Sequence, residues 1–245
     1  MSKEQSVAGK IMSKLYNDVD IFADFKPMPK DLQGWGSQHP VFEFAMSTWR
    51  PRIYVEVGCW KGASAIHAAK LMKKHDIDGV VLTIDTWLGG EEHFGRGDLH
   101  RNAGYPQLYY QFLANCVHEN CHDRIVPIPT TSHIGSVVLK RNEIYADIVY
   151  LDASHEYQDV VADLESYSLL LSPSGIIIGD DYHWTWPGVV RAVQEFSQKH
   201  DLDLYIWNSK FILCRKGHVI EGDFVKVPRP KNFYWDSESR DYVWR

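Results

Sequence analysis

Ile53-Tyr54-Val55-Glu56-Val57-Gly58-Cys59-Trp60-Lys61-Gly62-Ala63-Ser64 is the stretch that decides the fold. Residues 53–57 are a short apolar run rich in β-branched side chains and read as a buried strand. The run breaks at Gly58, passes Gly62, and enters an alanine-rich helical pattern that continues to Lys70. Glycines at a strand-to-helix turn let the backbone come close to a ligand, and the helix N-terminus favours polar or anionic groups there. A second apolar run, 80–84, ends at Asp85. A carboxylate closing the second strand is where nucleotide-binding α/β folds hold ribose hydroxyls, although a strand-end acid can also serve only as a cap. Together the two features imply a cofactor built on a nucleoside, and hence an enzyme.

The rest of the chain extends this alternation. Helical patterns are expected over 4–18 and 40–49, separated by a break at Lys26-Pro27-Met28-Pro29 and a loop at Trp35-Gly36. Beyond Asp85 a polar stretch, 86–104, is longer than a compact connection needs and reads as a lid. Helices over 105–118 and 132–140 flank a short strand at 125–128, and a strand at 147–151 runs up to Asp152. Val160, Leu164, Tyr167 and Leu171 mark one face of an amphipathic helix over 156–171. Pro173-Ser174-Gly175 reads as a turn before the strand 176–178, which ends at Gly179-Asp180-Asp181. Pro187 opens a helix to 198, and strands at 204–207 and 211–214 form a hairpin through Asn208-Ser209-Lys210. The order predicts an α/β, doubly wound Rossmann-like sheet with helices on both faces and ligands at the strand C-terminal ends.

The 245 residues show no Gly/Ser/Pro linker or charge block, so one domain is expected over 1–245, with a core at about 50–215, an N-terminal helical cap at 1–49 and a tail at 216–245. A hydrophobic fraction of 44% and a charged fraction of 24% fit an ordinary globular protein. The net charge of −6, with scattered Lys and Arg, argues against nucleic acid. No apolar run is long enough to span a membrane, and no signal core opens the chain. The four cysteines form no C-x-x-C pair, which makes a reducing cytoplasm the expected setting. The N-terminal helix and the aromatic tail can pack against a partner copy in a homo-oligomer or against the domain itself.

Three carboxylates gather at two strand ends. Asp152 closes one strand and Asp180-Asp181 the next, and adjacent strand ends converge in a doubly wound sheet. Three carboxylates without a cation repel and raise one another's pKa, and hard oxygen ligands select Mg²⁺, Mn²⁺ or Ca²⁺. His155, three residues past Asp152, is a candidate general base, with His183 behind it. Trp35, Trp87, Tyr182, Trp184 and Trp186 fall in segments near the expected site mouth. Aromatic faces there suit a sugar or an aromatic acceptor. A competing motif is His118-Glu119-Asn120-Cys121-His122, an H-E-x-x-H match that would make a zinc peptidase of His118, Glu119 and His122. Its place at a helix end, running directly into a strand, argues against it. A nicotinamide dinucleotide site would want G-x-G-x-x-G, which is absent. A non-catalytic nucleotide-binding module is a further alternative.

With the closing hairpin, the motif Glu56-x-Gly58-x-Trp60-x-Gly62-x-Ser64 resembles the cofactor loop of class I S-adenosylmethionine-dependent methyltransferases. It is most similar to the metal-dependent, catechol-type O-methyltransferases and to the related macrocin O-methyltransferase and cephalosporin hydroxylase-like family. The resemblance covers roughly 50–215 and implies a seven-stranded sheet ending in an antiparallel hairpin. It implies that Glu56, Gly58, Trp60, Gly62 and Ser64 hold the methionine part of S-adenosyl-L-methionine, Asp85 the ribose, and Thr131 and Ser132 the adenine side. Asp152, Asp180 and Asp181 would hold the divalent cation, with Asp152 also beside the cofactor and the reacting group. The family places a lysine base where this chain has His155. Trp87, Tyr182, His183 and Trp184 would meet a small hydroxylated acceptor, a sugar or glycosylated metabolite being favoured.

Overall fold

A computed structural model describes residues 6–23, 25–90, 93–94, 97, 99–218, 220, 222–228, 233–236 and 241–244. The chain opens with α1 (Val7–Tyr16), α2 (Pro40–Trp49), β1 (Ile53–Val57), α3 (Ala63–Lys74) and β2 (Val80–Asp85). It continues through β3 (Arg101–Asn102), β4 (Tyr105–Pro106), α4 (Leu108–His118), β5 (Ile125–Pro129), α5 (Ser132–Arg141) and β6 (Ala146–Leu151). Then come α6 (Tyr157–Ser168), β7 (Leu171–Gly179), α7 (Pro187–Lys199), β8 (Leu202–Trp207) and β9 (Lys210–Arg215). Three short strands follow, β10 (Val225–Lys226), β11 (Phe233–Asp236) and β12 (Asp241–Trp244).

Eight strands form one sheet in the order β10-β8-β9-β7-β6-β1-β2-β5. The five strands from β5 to β7 are parallel, and β9, β8 and β10 close the sheet antiparallel. β1 lies at the centre, with Val55 opposite Leu82 on one side and Val149 on the other. Both faces of such a strand are covered, which is why its apolar run is nearly continuous. Phe42, Met46, Met72 and Phe112 from α2, α3 and α4 fill one core. Val7, Leu139, Leu164, Tyr167 and Phe196 from α1, α5, α6 and α7 fill the other. β5 carries Pro127 and Pro129 along the sheet edge, and the Pro127 carbonyl accepts from the Tyr16 hydroxyl.

The seven expected strands are present, and β10 adds an eighth of two residues. Pro173-Ser174-Gly175 is not a turn: it lies within β7, with Pro173 and Ser174 exposed and Gly175 buried, where the register against β6 shifts between Ala146 and Ile148. Helix α4 begins at Leu108 rather than 105 because Tyr105–Pro106 pairs with Arg101–Asn102. Lys210 belongs to β9 and not to the hairpin turn. The tail contributes the hairpin β11–β12, for which periodicity gave no signal. The lid expectation over 86–104 falls partly on residues outside those described. Among the described residues, no helix is long and apolar enough to cross a membrane.

Trp87, expected at the substrate, is a core residue only 1% exposed. Its ring packs on Tyr109 and Phe112, and its Nε1–H donates to the Trp60 carbonyl at 2.9 Å. Trp87→Phe should therefore cost about 1–2 kcal/mol of stability through lost volume and one lost hydrogen bond. Chemical denaturation checks this, and acceptor KM should stay unchanged.

Candidate active site

The glycine loop is set by close strand packing. The Gly58 N–H donates to the Ile84 carbonyl at 2.9 Å, and the Asp152 N–H to the Val57 carbonyl at 2.8 Å, so the ends of β2, β1 and β6 are tied together. A Cβ on Gly58 would sit 2.0 Å from the Asp152 carbonyl oxygen, and φ there is +84°. Gly62 caps α3 at the same φ of +84°, against the Phe112 ring. Between them Trp60 takes φ +48°, a left-handed conformation uncommon for a non-glycine residue. Such backbone is held only where the surroundings determine it.

Two acids do that work from below. Asp85 accepts from the amides of Cys59 at 2.7 Å, Trp60 at 3.0 Å and Trp87 at 2.7 Å. Oδ2 thus takes two backbone amides and Oδ1 one. This geometry makes Asp85 the clamp of the loop. Burial raises its pKa, and those amides pull it back. Glu56 is fully buried, accepts from the Ser64 hydroxyl at 2.7 Å through Oε1, and has no partner at Oε2 among the described residues. Burial pushes its carboxyl up to about 8.

From above, a strap formed by residues 29–36 lies over the loop. The buried Lys61 pairs with Asp31 at 2.7 Å, and the Asn115 amide donates to the carbonyls of Asp31 and Lys61. Gln33 accepts from Trp60 Nε1 at 2.9 Å. Trp35 and His93 flank the Trp60 ring, His93 stacked at 4.1 Å.

Beside the loop stands the acidic centre. Asp152, His155 and Asp181 each offer one ligand atom, all within 4.8 Å of one another. His155 Nε2 lies 2.9 Å from Asp181 Oδ2, and its ring stacks on Trp186 at 4.0 Å. Asp152 accepts from the Tyr150 hydroxyl at 2.8 Å. Burial, and then the charge of Asp180, raises its carboxyl to about 7. Two carboxylates and an imidazole suit a divalent cation, and a carboxyl costly to ionise alone gains most from one.

The expected trio is thus rearranged. Asp152 and Asp181 meet and His155 joins them, while Asp180 lines the same pocket but is held in an ion pair with Lys210. Sequence reasoning missed Lys210 and Tyr150; the only hint for Lys210 was a lysine leading the apolar strand Phe-Ile-Leu. Tyr182 is a second correction: its amide donates to the Ser209 carbonyl and its hydroxyl accepts from Gln194 at 2.7 Å, which turns the ring into the core. His183 and Trp184 are exposed, Trp184 at 81%, and Trp186 is the aromatic residue in contact with His155. Thr131 caps α5 through the Ile134 amide, and the Ser132 carbonyl accepts from Tyr167. The zinc motif has no helix to stand on, since α4 ends at His118. His118 bonds the Met28 carbonyl, and Glu119 pairs with Lys30 and Lys70.

Glu56 and Asp152 predict a pH dependence. Both hold protons in the folded protein at pH values where the unfolded chain has released them. The stability they lend is complete below their ordinary values of 4.5 and 3.8 and is lost as pH rises towards about 8 and about 7. In chelator, Tm should fall from about pH 5 to about pH 8, and Glu56→Gln should flatten the fall. A Tm that rises across that window would contradict the burial argument.

Known proteins share this architecture. The O-methyltransferase NovP aligns with a TM-score of 0.57 at 20% identity, over 73% of this chain and 79% of that one. An O-methyltransferase from Bacillus cereus in complex with SAH aligns at 0.54 and 15% identity, over 87% and 91%. The O-methyltransferase TomG from Streptomyces achromogenes, involved in tomaymycin synthesis and in complex with SAM, aligns at 0.55 and 14%, over 87% and 91%. Among curated sequences, an uncharacterized protein from Sinorhizobium fredii is 23% identical over 189 residues, 72% of this chain and 19% of the relative. One from Acanthamoeba polyphaga mimivirus is 25% identical over 144 residues, 58% of each. The chain thus spans less than two thirds of either curated relative. A family model described as a methyltransferase domain matches residues 55–182, from the strand that carries Glu56 to the turn after Asp181, and the chain belongs to that family.

Proposed function

We propose that the protein transfers the methyl group of S-adenosylmethionine to a hydroxyl of a small molecule, with a divalent cation held at Asp152 and Asp181. The carrying observation is the contact between the two halves of the site: the Gly58 turn packs directly on Asp152, so a cofactor on the loop and an acceptor at the acidic centre would be neighbours. The cofactor found with the structurally similar O-methyltransferases supports the same reading.

In this reading Glu56, Ser64 and the loop from Gly58 to Gly62 receive the methionine end, Asp85 keeps the loop in shape, and Thr131 and Ser132 border the adenine. A bound cation would lower the pKa of the acceptor hydroxyl. Asp181 accepts a hydrogen bond from His155 Nε2, which orients the imidazole at the centre. Stacking on Trp186 fixes the ring plane, so His155 is aligned to remove the hydroxyl proton as the oxygen attacks the sulfonium methyl. Trp186, stacked on His155, gives the centre an aromatic face, which suits a polyhydroxylated acceptor such as a sugar.

Calorimetric titration with S-adenosylmethionine, with a nicotinamide dinucleotide as control, tests the cofactor assignment. Saturable binding of the first alone is the expected result. No binding to folded protein would overturn it.

A further inference from the structure

We infer that Lys210 is a resident cation of the acidic centre, which claims Asp180 as its own counter-ion and confines any divalent metal to the Asp152 side. This rests on the metal part of the proposed function and departs from the three-acid arrangement that the sequence motif suggests. Lys210 is 1% exposed, in the first position of β9. Its ammonium donates to Asp180 Oδ2 and, at 2.7 Å, to the Tyr150 hydroxyl, which in turn donates to Asp152 Oδ2 at 2.8 Å. Its other neighbours are rings, Phe42 at 5.5 Å and Tyr150 at 5.1 Å from the nitrogen. The strap seals the pair from above: a Cβ on Gly36 would lie 3.2 Å from Nζ and 3.3 Å from Asp180 Oδ2.

Three donors, one of them carrying a full positive charge, already hold Asp180. Its Oδ1 accepts from the Ser209 hydroxyl at 2.9 Å and from the Asp181 amide at 2.8 Å, while Oδ2 holds the ammonium. A buried carboxylate so paired is costly to detach, because moving it leaves an ammonium without a counter-ion. The pair therefore has two consequences for the site. It positions Asp181, whose amide it holds, and it sets a fixed positive charge one hydroxyl away from Asp152. A dication arriving at Asp152 and Asp181 meets that charge and is repelled by it. Lys210 is thus a positioning residue that limits metal affinity and decides which member of the acid pair is the ligand.

Manganese(II) binding, followed by electron paramagnetic resonance of the free ion, separates the alternatives without measuring turnover. Lys210→Met should tighten binding about tenfold, and adding Asp180→Asn to it should return the affinity to within about threefold of the wild type, whereas Asp181→Asn alone should weaken it by about tenfold or more. Should Lys210→Met fail to fold, Lys210→Gln with Asp180→Asn, which keeps polar partners at both positions without their charges, makes the same comparison. A loss in the paired variant equal to that of Asp181→Asn would overturn the inference while leaving the metal reading intact. Binding by Lys210→Met but not by the wild type would support the inference. No binding by either would end both, and the separate cofactor titration would still stand.

Discussion

Gly58→Ala should abolish measurable S-adenosylmethionine binding and lower Tm by several degrees. The substitution meets two obstacles at once. The native φ of +84° is a region that an alanine enters only with strain. The added carbon would lie 2.0 Å from the Asp152 carbonyl oxygen and 2.5 Å from its carbon, and both are backbone atoms that no rotamer change can clear. Either β1 separates from β6 or the turn refolds, and both outcomes move Cys59 and Trp60 off the Asp85 carboxylate. The expected stability cost is about 3 kcal/mol or more, with the loss of cofactor binding exceeding what that instability alone explains. Gly97, which has open space around its Cβ position, supplies the control: Gly97→Ala should be neutral. A Gly58→Ala protein that binds cofactor with wild-type affinity would show that the turn is not the cofactor loop.

The second large effect concerns the acidic centre. Asp152→Ala and Asp181→Ala should each lower kcat/KM by about 10³-fold, the scale of a lost proton-transfer and charge-stabilising group. They should differ in kind. Asp152→Ala leaves the Tyr150 hydroxyl without its acceptor and weakens metal binding. Asp181→Ala removes the hydrogen-bond partner of His155, so the pH profile of the residual rate should also change. Full turnover of both variants in excess chelator would remove the cation from the mechanism.

Much of this was legible in the residues. The strands β1 and β2 announce themselves as apolar runs that stop at a glycine and at an acid, and Pro40 and Pro187 mark the helix starts because a missing N–H costs nothing there. The candidate centre was legible only to the level of strand ends. Asp180 and Asp181 are consecutive, and adjacent side chains at a strand end point to different sides. Which one is claimed by an ion pair depends on what β9 places beside them, and Lys210 lies 30 residues beyond Asp180 in the chain. Trp87 misled for a related reason: a tryptophan in a glycine-rich stretch reads as exposed until Tyr109 and Phe112, more than a helical turn apart from it in sequence, are seen to enclose it. Tyr182 was decided by the backbone of Asp181, whose φ of +60° turns the chain before the ring is reached.

The sheet margins carry a consequence for how copies of the protein can meet. At one margin β5 brings two prolines, which have no N–H to offer, and a carbonyl already taken by Tyr16. At the other, β10 is only two residues long. Among the described residues, neither side offers a long row of unpaired backbone groups to a strand from a second molecule, which opposes growth by strand addition. A protein crowded or partly destabilised thus keeps its largest sheet from serving as a template for aggregation.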